Sequence, residues 1–396
     1  MEMIKDLFVN FFKQMGFINN GSMETQEFML SLLFRLVMII LACVLIYLAI
    51  AKGFEPYLLI PIGVGMLLVN LAPALYSEGV GDEANGLLYS LHKGVEWELF
   101  PPLIFLGIGA TTDFGPLISR PSSLLLGAAA QIGIFITFLG AIILGFNALQ
   151  AASIGIIGGA DGPTAIFLSN NLLKGTEGGE MLCSSIAVVA YSYMALVPVI
   201  QPPIIKALTT KEERQIKMTE TRVVSKAERI IFPIVVMIAV ILLIPSCASL
   251  IGMLMLGNLI KESGVVPNLV DAASKTLLYA ITIFLGLSVG ATAILTNIDQ
   301  ALEFVKILAL GMVAFSIATA TGVLFGKVMK KLSGGKINPM IGAAGVSAVP
   351  MAARVVHKIG LEEDKSNYLL MHAMGPNVAG VIGSAVAAGL LLSIFG

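Results

Sequence analysis

Asp161 invites a chemical interpretation because it stands alone in a long uncharged stretch. It is the only charged residue between Arg120 and Lys174, and residues 158–164 around it read GGADGPT. A carboxylate at membrane depth costs about 2.5–3.5 kcal/mol even on lenient insertion scales, so it needs a compensating partner. A small hard cation would be one, since it prefers oxygen ligands and the flanking glycines free backbone carbonyls to join in. A turn in water at a loop tip is the simpler alternative.

A second polar, glycine-rich segment lies in the other half of the chain, at residues 338–347. It offers side-chain oxygens from Asn338 and Ser347 and backbone carbonyls near Gly342. If the two segments meet near the membrane midplane, we expect one oxygen cage that includes Asp161. Close packing of small residues explains the glycines equally well, but it does not require Asn338 or Ser347.

Three further polar residues lie in or beside apolar segments. Tyr193 and Asn377 occupy related positions in the two halves of the chain, where each needs a hydrogen-bond partner. Arg354 follows the second polar segment. It either extends towards the headgroups or holds an anionic substrate. Tyr193 either takes part in the chemistry or only forms a hydrogen bond to a neighbouring helix.

The composition shows what must position these residues. Of 396 residues, 57% are hydrophobic and only 12% are charged, whereas soluble domains carry roughly 25% charged residues. Apolar runs near helix-spanning length recur along the chain, so we predict a polytopic α-helical membrane protein. The net charge of −1 gives no sign of nucleic-acid binding. Dispersed cysteines and histidines argue against zinc sites and disulfides, and nucleotide-binding or Ser-His-Asp signatures are missing.

An internal repeat organises the chain. The sequence Ile-Phe-Leu-Gly at residues 104–107 recurs at 283–286, and Gly-Ala-Thr follows each copy. Asn70 and Asn258 lie in a second matching pair of segments, and residues 157–160 match 341–344. Such matches, in the same order and about 180–190 residues apart, indicate two structural repeats.

Charge predicts the topology of the two repeats. Residues 206–229 contain seven Lys or Arg residues, and the loops at 327–336 and 354–365 are also basic. Each half contains six predicted elements. All three basic segments can lie in the cytoplasm only if the fifth element of each half enters the membrane without crossing it. We therefore predict two inverted repeats, each of about five transmembrane helices plus one re-entrant or broken hairpin, with both termini outside. The predicted organisation is an N-terminal amphipathic segment (1–29), a first membrane repeat (30–208), a charged cytoplasmic linker (209–228) and a second, inverted repeat (229–396).

At these motifs the chain closely resembles the β-subunits of the Na⁺-pumping biotin-dependent decarboxylases, which include the oxaloacetate, methylmalonyl-CoA and glutaconyl-CoA enzymes. The resemblance is carried by residues 158–167, 191–203, 338–354 and 372–380, and it extends from about residue 30 to the end. The family's functional residues fall on Asp161, Tyr193, Asn338, Gly342, Ser347, Arg354 and Asn377.

The resemblance implies a membrane subunit that decarboxylates carboxybiotin and couples this step to Na⁺ export with consumption of a proton. It implies Na⁺ ligation by Asp161, Asn338, Ser347 and Asn377 with the backbone at Gly342. The catalytic expectation falls on Asp161, Tyr193 and Arg354, and the carboxybiotin contacts on Arg354 and Ser347.

The same resemblance implies the setting. The chain has no biotin-accepting Met-Lys-Met, so carboxybiotin must come from a separate biotin carrier subunit. The other expected partners are a carboxyltransferase α-subunit and a small membrane subunit of γ or δ type, in a bacterial inner membrane. Association of several copies stays open. The alternative functions are a stand-alone Na⁺-coupled carrier of an organic anion, which inverted repeats fit equally well, and a passive membrane anchor.

Overall fold

The regular structure of this computed structural model is helical throughout the residues that it describes, which are 25–79, 84–295 and 297–396. Most of the predicted N-terminal segment, residues 1–29, lies outside those ranges. In chain order the helices are α1 (Thr25–Lys52), α2 (Pro56–Leu71), α3 (Leu87–Glu96), α4 (Phe100–Thr111), α5 (Gly115–Ser119), α6 (Ser123–Ala130), α7 (Ile132–Ile143), α8 (Ala148–Gly155), α9 (Gly162–Leu173), α10 (Gly179–Leu208), α11 (Lys211–Arg214), α12 (Lys226–Leu243), α13 (Ala248–Ser263), α14 (Pro267–Asp271), α15 (Leu278–Ala291), α16 (Ile298–Leu332), α17 (Met351–Glu363) and α18 (Leu370–Phe395). Short 3₁₀ segments lie at Pro73–Tyr76, Ile156–Gly159, Pro245–Cys247 and Pro339–Gly345, and a π-helical turn at Ala272–Leu277 precedes α15.

Five helical stretches in the described ranges are long and apolar enough to cross a membrane, and a bent pair within α10 makes a sixth if it counts as one span. The five are Leu30–Lys52, Ser123–Ile143, Pro267–Ala291, Ile298–Leu332 and Leu370–Phe395. Shorter apolar helices, such as α2 and α4, add to them. The prediction of a polytopic helical membrane protein is confirmed at this level.

The chain forms two compact units. The first combines the described residues up to Trp97 with Thr282–Val305. In it, α2 and α15 approach at glycines: a side chain on Gly65 would meet the backbone at Leu287. The amide of Asn70 donates to the carbonyl of Ala293 at 3.1 Å, just beyond the end of α15. Small residues thus let two backbones pack closely, and a buried amide joins them.

The second unit consists of Glu98–Ile281 and Lys306–Gly396. Its helices α4 and α13 approach in the same way, because a side chain on Gly109 would meet the backbone at Leu254. The amide of Asn258 donates to the carbonyl of Thr112 at 3.2 Å, just beyond the end of α4. This unit also contains both polar segments singled out in the sequence.

Those segments form two broken hairpins. The first hairpin, residues 148–173, consists of α8, the 3₁₀ segment Ile156–Gly159 and α9. The second hairpin, residues 338–363, consists of the 3₁₀ segment Pro339–Gly345, an irregular stretch and α17. Helix α18 packs against α6, α9 and the second 3₁₀ segment. The unit therefore surrounds the tips of both hairpins with helices.

Candidate functional site

The turn of the first hairpin places Asp161 at the start of a helix. The 3₁₀ segment stops at Ala160, whose φ of 55° lies in the left-handed region and ends the preceding turn. Asp161 is the N-cap of α9, and its Oδ1 accepts the backbone N–H of Thr164 at 3.3 Å. An N-cap carboxylate satisfies a free N–H and faces the positive end of the helix dipole.

The second carboxylate oxygen of Asp161 is bound by another helix. Ser384 on α18 donates its hydroxyl to Oδ2 at 2.6 Å. Asp161 is 5% exposed and Ser384 is fully buried. Among the described residues no Lys, Arg or His forms an ion pair with this carboxylate. Two hydrogen bonds do not neutralise a buried charge, so the site calls for a cation or a proton.

The tip of the second hairpin reaches the first hairpin next to Asp161. The backbone N–H of Ser347 donates to the carbonyl of Gly159 at 3.1 Å. Asn377 on α18 holds this tip from the other side, and its Nδ2 donates to the carbonyls of Ala344 and Val346, both at 2.9 Å. The two hairpins and α18 therefore converge.

Several buried oxygens around this convergence have no hydrogen-bond partner among the described residues. They are Gln131 Oε1, Thr164 Oγ1, Ser347 Oγ and Asn377 Oδ1. All four residues are at most 5% exposed. Buried polar atoms are normally paired. Unpaired oxygens beside a buried carboxylate are the donor set that Na⁺ and similar hard cations take.

Gly342 packs closely against α16, and its role as a backbone ligand of Na⁺ stays a prediction. Its α-carbon lies against the carbonyl of Gly322 on α16, where any added side chain would clash. Gln201 on α10 binds the next carbonyl, because its Nε2 donates to the oxygen of Ala343 at 2.9 Å. The backbone of the second 3₁₀ segment is thus fixed between two helices.

Asn338 lies apart from these oxygens and contacts the linker (residues 209–228). Its Nδ2 donates to the carbonyls of Arg214 at 3.1 Å and Ile216 at 2.9 Å, and its Oδ1 accepts the N–H of Met340 at 3.0 Å. Every polar atom of this side chain therefore has at least one partner. The structure does not bring Asn338 to Asp161, and its role as a Na⁺ ligand stays a prediction.

Tyr193 and Arg354 are also separate from the convergence of the hairpins. The hydroxyl of Tyr193 donates to the carbonyl of Leu308 on α16. Arg354 lies in the first turn of α17 with an exposed side chain and forms no ion pair within the described part of the chain. The catalytic roles expected for both residues stay predictions.

The linker is fastened to the second hairpin and to α16 by charge. Glu213 lies 3.2 Å from Lys327 and 3.1 Å from Lys330, and Arg214 lies 2.6 Å from Glu363. Burial opposes the charge of Glu213. The N–H of Thr210 and the two ammonium groups outweigh it and lower the pKa of Glu213 below its usual value. The linker thus carries an ionised carboxylate at neutral pH.

Sequence reasoning missed Gln131, Ser384 and Tyr191. Gln131 has a detectable signal, since it is the one amide in the apolar stretch 124–146. Ser384 has none, because a serine between glycine and alanine in a membrane helix is ordinarily a packing residue. Tyr191, whose ring lies against Gly162, belongs to a segment that had been singled out for Tyr193 instead.

Comparison with known proteins finds similarity to one family along most of the chain. Residues 34–395 match the family described as the Na⁺-transporting oxaloacetate decarboxylase beta subunit. The methylmalonyl-CoA decarboxylase subunit beta of Propionigenium modestum is 59% identical over 382 residues, covering 91% of this chain and 95% of that protein. The glutaconyl-CoA decarboxylase subunit beta of Acidaminococcus fermentans is 54% identical over 365 residues, covering 91% and 93%. The oxaloacetate decarboxylase beta chain of Klebsiella pneumoniae is 48% identical over 413 residues, covering 90% and 94%.

Proposed function

Because the chain belongs to the family of the Na⁺-transporting oxaloacetate decarboxylase β-subunits, we propose that it decarboxylates carboxybiotin and uses that step to export Na⁺ through a site at Asp161. The family predicted from the sequence motifs is confirmed. The chain is a membrane subunit of a decarboxylase complex, and its own residues must therefore hold and release the transported cation.

One observation carries the proposal of a Na⁺ site: a buried carboxylate without a cationic partner lies beside unpaired buried oxygens. Asp161 supplies the charge, and Thr164, Ser347 and Asn377 supply neutral oxygens. Removing water from a charge costs several kcal/mol unless close ligands replace it. Na⁺ bound among these atoms would satisfy both the carboxylate and the orphan oxygens.

The position of the site between two hairpins supports alternating access. Asn377 holds the second hairpin, and the N–H of Ser347 bonds it to the first hairpin at Gly159. A shift of one hairpin relative to the other would break that contact and open the cage to one side. Each Na⁺ moved outward against 100 mV costs about 2.3 kcal/mol, which the decarboxylation must supply.

Carboxybiotin is the cofactor that this proposal requires, delivered by a separate biotin carrier subunit. When bound, its carboxyl group would leave as CO₂, and the biotin nitrogen that carried it would take up a proton in its place. Two residues fit an anionic carboxyl group: Arg354 has an exposed guanidinium, and Ser347 has a hydroxyl without a partner among the described residues. We assign both to binding this group.

Tyr193 is the proposed proton donor of this chain. Its hydroxyl donates to the carbonyl of Leu308, so proton transfer requires that hydrogen bond to exchange. The remaining partners in the proposal are a carboxyltransferase α-subunit and a small membrane subunit of γ or δ type. The proposed location is a bacterial inner membrane, since a pump that conserves decarboxylation energy needs an ion-tight membrane.

The inverted repeat is part of the proposal, and two crossed hydrogen bonds support it. Asn70 and Asn258, matched in the sequence repeat, make the same bond to the equivalent carbonyls of Ala293 and Thr112. Each asparagine reaches the other half of the chain: Asn70 in the first repeat bonds the second, and Asn258 in the second bonds the first. Reciprocal bonds of this kind are expected from a pseudo-two-fold relation.

Comparison with relatives disfavours the alternative of a stand-alone carrier, since those relatives are named as decarboxylase subunits. The two functions are separated by Na⁺ uptake into inside-out proteoliposomes that contain the complete complex and a decarboxylatable acid. We expect uptake that avidin blocks, that Asp161→Asn abolishes, and that the control Asp113→Asn retains, because Asp113 pairs with Arg229 instead. Avidin-insensitive Na⁺ flux that follows an organic anion gradient would refute the pump.

A further inference from the structure

Gln131 occupies a break between two helices at the convergence of the hairpins. Helix α6 ends at Ala130 and α7 begins at Ile132, so Gln131 lies in the turn that separates them. It is 5% exposed. A buried amide has two donor hydrogens and two acceptor lone pairs, and leaving one of them without a partner in an apolar span is destabilising.

The amide nitrogen of Gln131 is fixed by two backbone carbonyls. Nε2 donates to Gly127 and to Gly380, both at 3.3 Å. Because two acceptors face this atom, a flipped amide would point an oxygen at two oxygens. The orientation of the side chain is therefore determined by its surroundings.

The amide oxygen consequently faces the tip of the first hairpin. A β-carbon added to Gly159 would lie 3.2 Å from Oε1 of Gln131 and 3.4 Å from the β-carbon of Ser384. Both side chains therefore border the same glycine of the hairpin tip. Ser384 is the residue that binds Asp161. Oε1 has no donor among the described residues.

Glycines provide the space that holds this side chain. A β-carbon on Gly383 would lie 3.0 Å from the γ-carbon of Gln131, and one on Gly159 would approach its oxygen. The hairpin tip, α18 and the helix break thus enclose a single amide oxygen. A packing residue would not need an amide here, since leucine or methionine fills such a space without an unpaired oxygen.

We propose that Gln131 is a further ligand of the transported cation, its Oε1 completing the coordination of Na⁺ bound to Asp161. This assignment rests on the proposed function, because it places Gln131 at the same cation. A neutral carbonyl oxygen in a fixed position favours a cation of fixed radius over a proton, which needs only one carboxylate oxygen.

The test uses the intact complex and measures the Na⁺ concentration for half-maximal decarboxylation. Gln131→Met keeps the length of the side chain and removes the oxygen. We expect it to raise the half-saturating Na⁺ concentration about tenfold while the maximal rate at saturating Na⁺ stays within about twofold. The matched control is Thr137→Val on α7, the helix that follows the break. The hydroxyl of Thr137 donates to the carbonyl of Gly133 in its own helix.

Gln131→Glu separates ligation from packing. The carboxyl group keeps an oxygen at the Oε1 position, so we expect a half-saturating Na⁺ concentration at or below the wild-type value. This variant decides the matter if the methionine variant fails to assemble. Equal increases in both variants, no change in the methionine variant, or a lower half-saturating concentration in it would overturn the assignment.

Asp161→Asn, run in parallel, distinguishes the two ways of failing. If it abolishes Na⁺ dependence while Gln131→Met has no effect, only the role of Gln131 is wrong. If Asp161→Asn leaves the Na⁺ dependence intact, the proposed function itself fails.

Discussion

Removing the hydroxyl of Ser384 should weaken Na⁺ binding at Asp161 without slowing the pump at saturating Na⁺. Ser384 donates to Oδ2 at 2.6 Å, a short hydrogen bond to a charged group. Such bonds contribute about 1.5–3 kcal/mol. The same hydroxyl lies 3.0 Å from the carbonyl of Val381, so its single proton is shared between two acceptors. We therefore take the lower end, about 1.5 kcal/mol, which corresponds to roughly a tenfold change in a binding constant.

The assay is Na⁺-dependent decarboxylation by the complex that contains Ser384→Ala. We expect the half-saturating Na⁺ concentration to rise about tenfold and the maximal rate to change by less than about twofold. Ser393→Ala on the same helix is the control, because Ser393 bonds Ser246 and the carbonyl of Gly389 and not Asp161. An unchanged half-saturating concentration, or a fall in maximal rate alone, would refute the proposed link between Ser384 and the cation.

Two further predictions concern the linker and the second hairpin. Glu213 is ionised in the folded protein with a lowered pKa, so its ion pairs stabilise the linker above the ordinary glutamate pKa of 4.5 and are lost as the pH falls through the lowered value. At neutral pH, Glu213→Gln should therefore speed amide hydrogen exchange in the linker about tenfold. This factor corresponds to the loss of about 1–2 kcal/mol of local stability, as expected for partly exposed ion pairs. The control is Glu212→Gln at the exposed neighbouring residue, which should leave the exchange rate unchanged. Gly342→Ala should destabilise the complex by about 1–3 kcal/mol in thermal unfolding, because the added carbon meets the carbonyl of Gly322, while Gly252→Ala, with open space around it, should not.

Each of these predictions has an outcome that contradicts it. Equal hydrogen-exchange rates of the linker in the Glu213→Gln and Glu212→Gln complexes would mean that the ion pairs of Glu213 with the two lysines do not stabilise the linker. A Gly342→Ala complex as stable as the wild type, yet with altered Na⁺ dependence, would mean that Gly342 acts on the cation directly and not through packing.

The sequence predicted those parts of the site whose polarity conflicts with a membrane environment. Asp161 stands out because a lone charge is costly at membrane depth. Ser347 stands out through its segment, whose density of glycine, proline and polar residues a continuous lipid-facing helix does not carry, and the structure places both residues where the hairpins meet. The long helices could be predicted from the length of the apolar runs alone. Short amphipathic α3 was missed, since its ten residues are too few for a span.

Contacts between distant segments could not be predicted from one sequence. Ser384 binds Asp161 across 223 positions of chain, and nothing local to Ser384 announces that bond. Asn338 was expected at the cation because asparagine is a good oxygen ligand. The linker carbonyls that occupy its amide carry no signal of their own, since every residue has a carbonyl. The break at Gln131 was missed because neither glycine nor proline adjoins it.

Equilibrium binding of radioactive Na⁺ to the purified complex, measured without turnover, reports on the proposed cation site itself. We predict saturable binding that Asp161→Asn abolishes and that Ser384→Ala and Gln131→Met weaken, with Asp113→Asn equal to the wild type. Saturable binding of undiminished affinity in the Asp161→Asn complex would contradict the assignment of Na⁺ to Asp161, because the cation would then be held elsewhere in the protein.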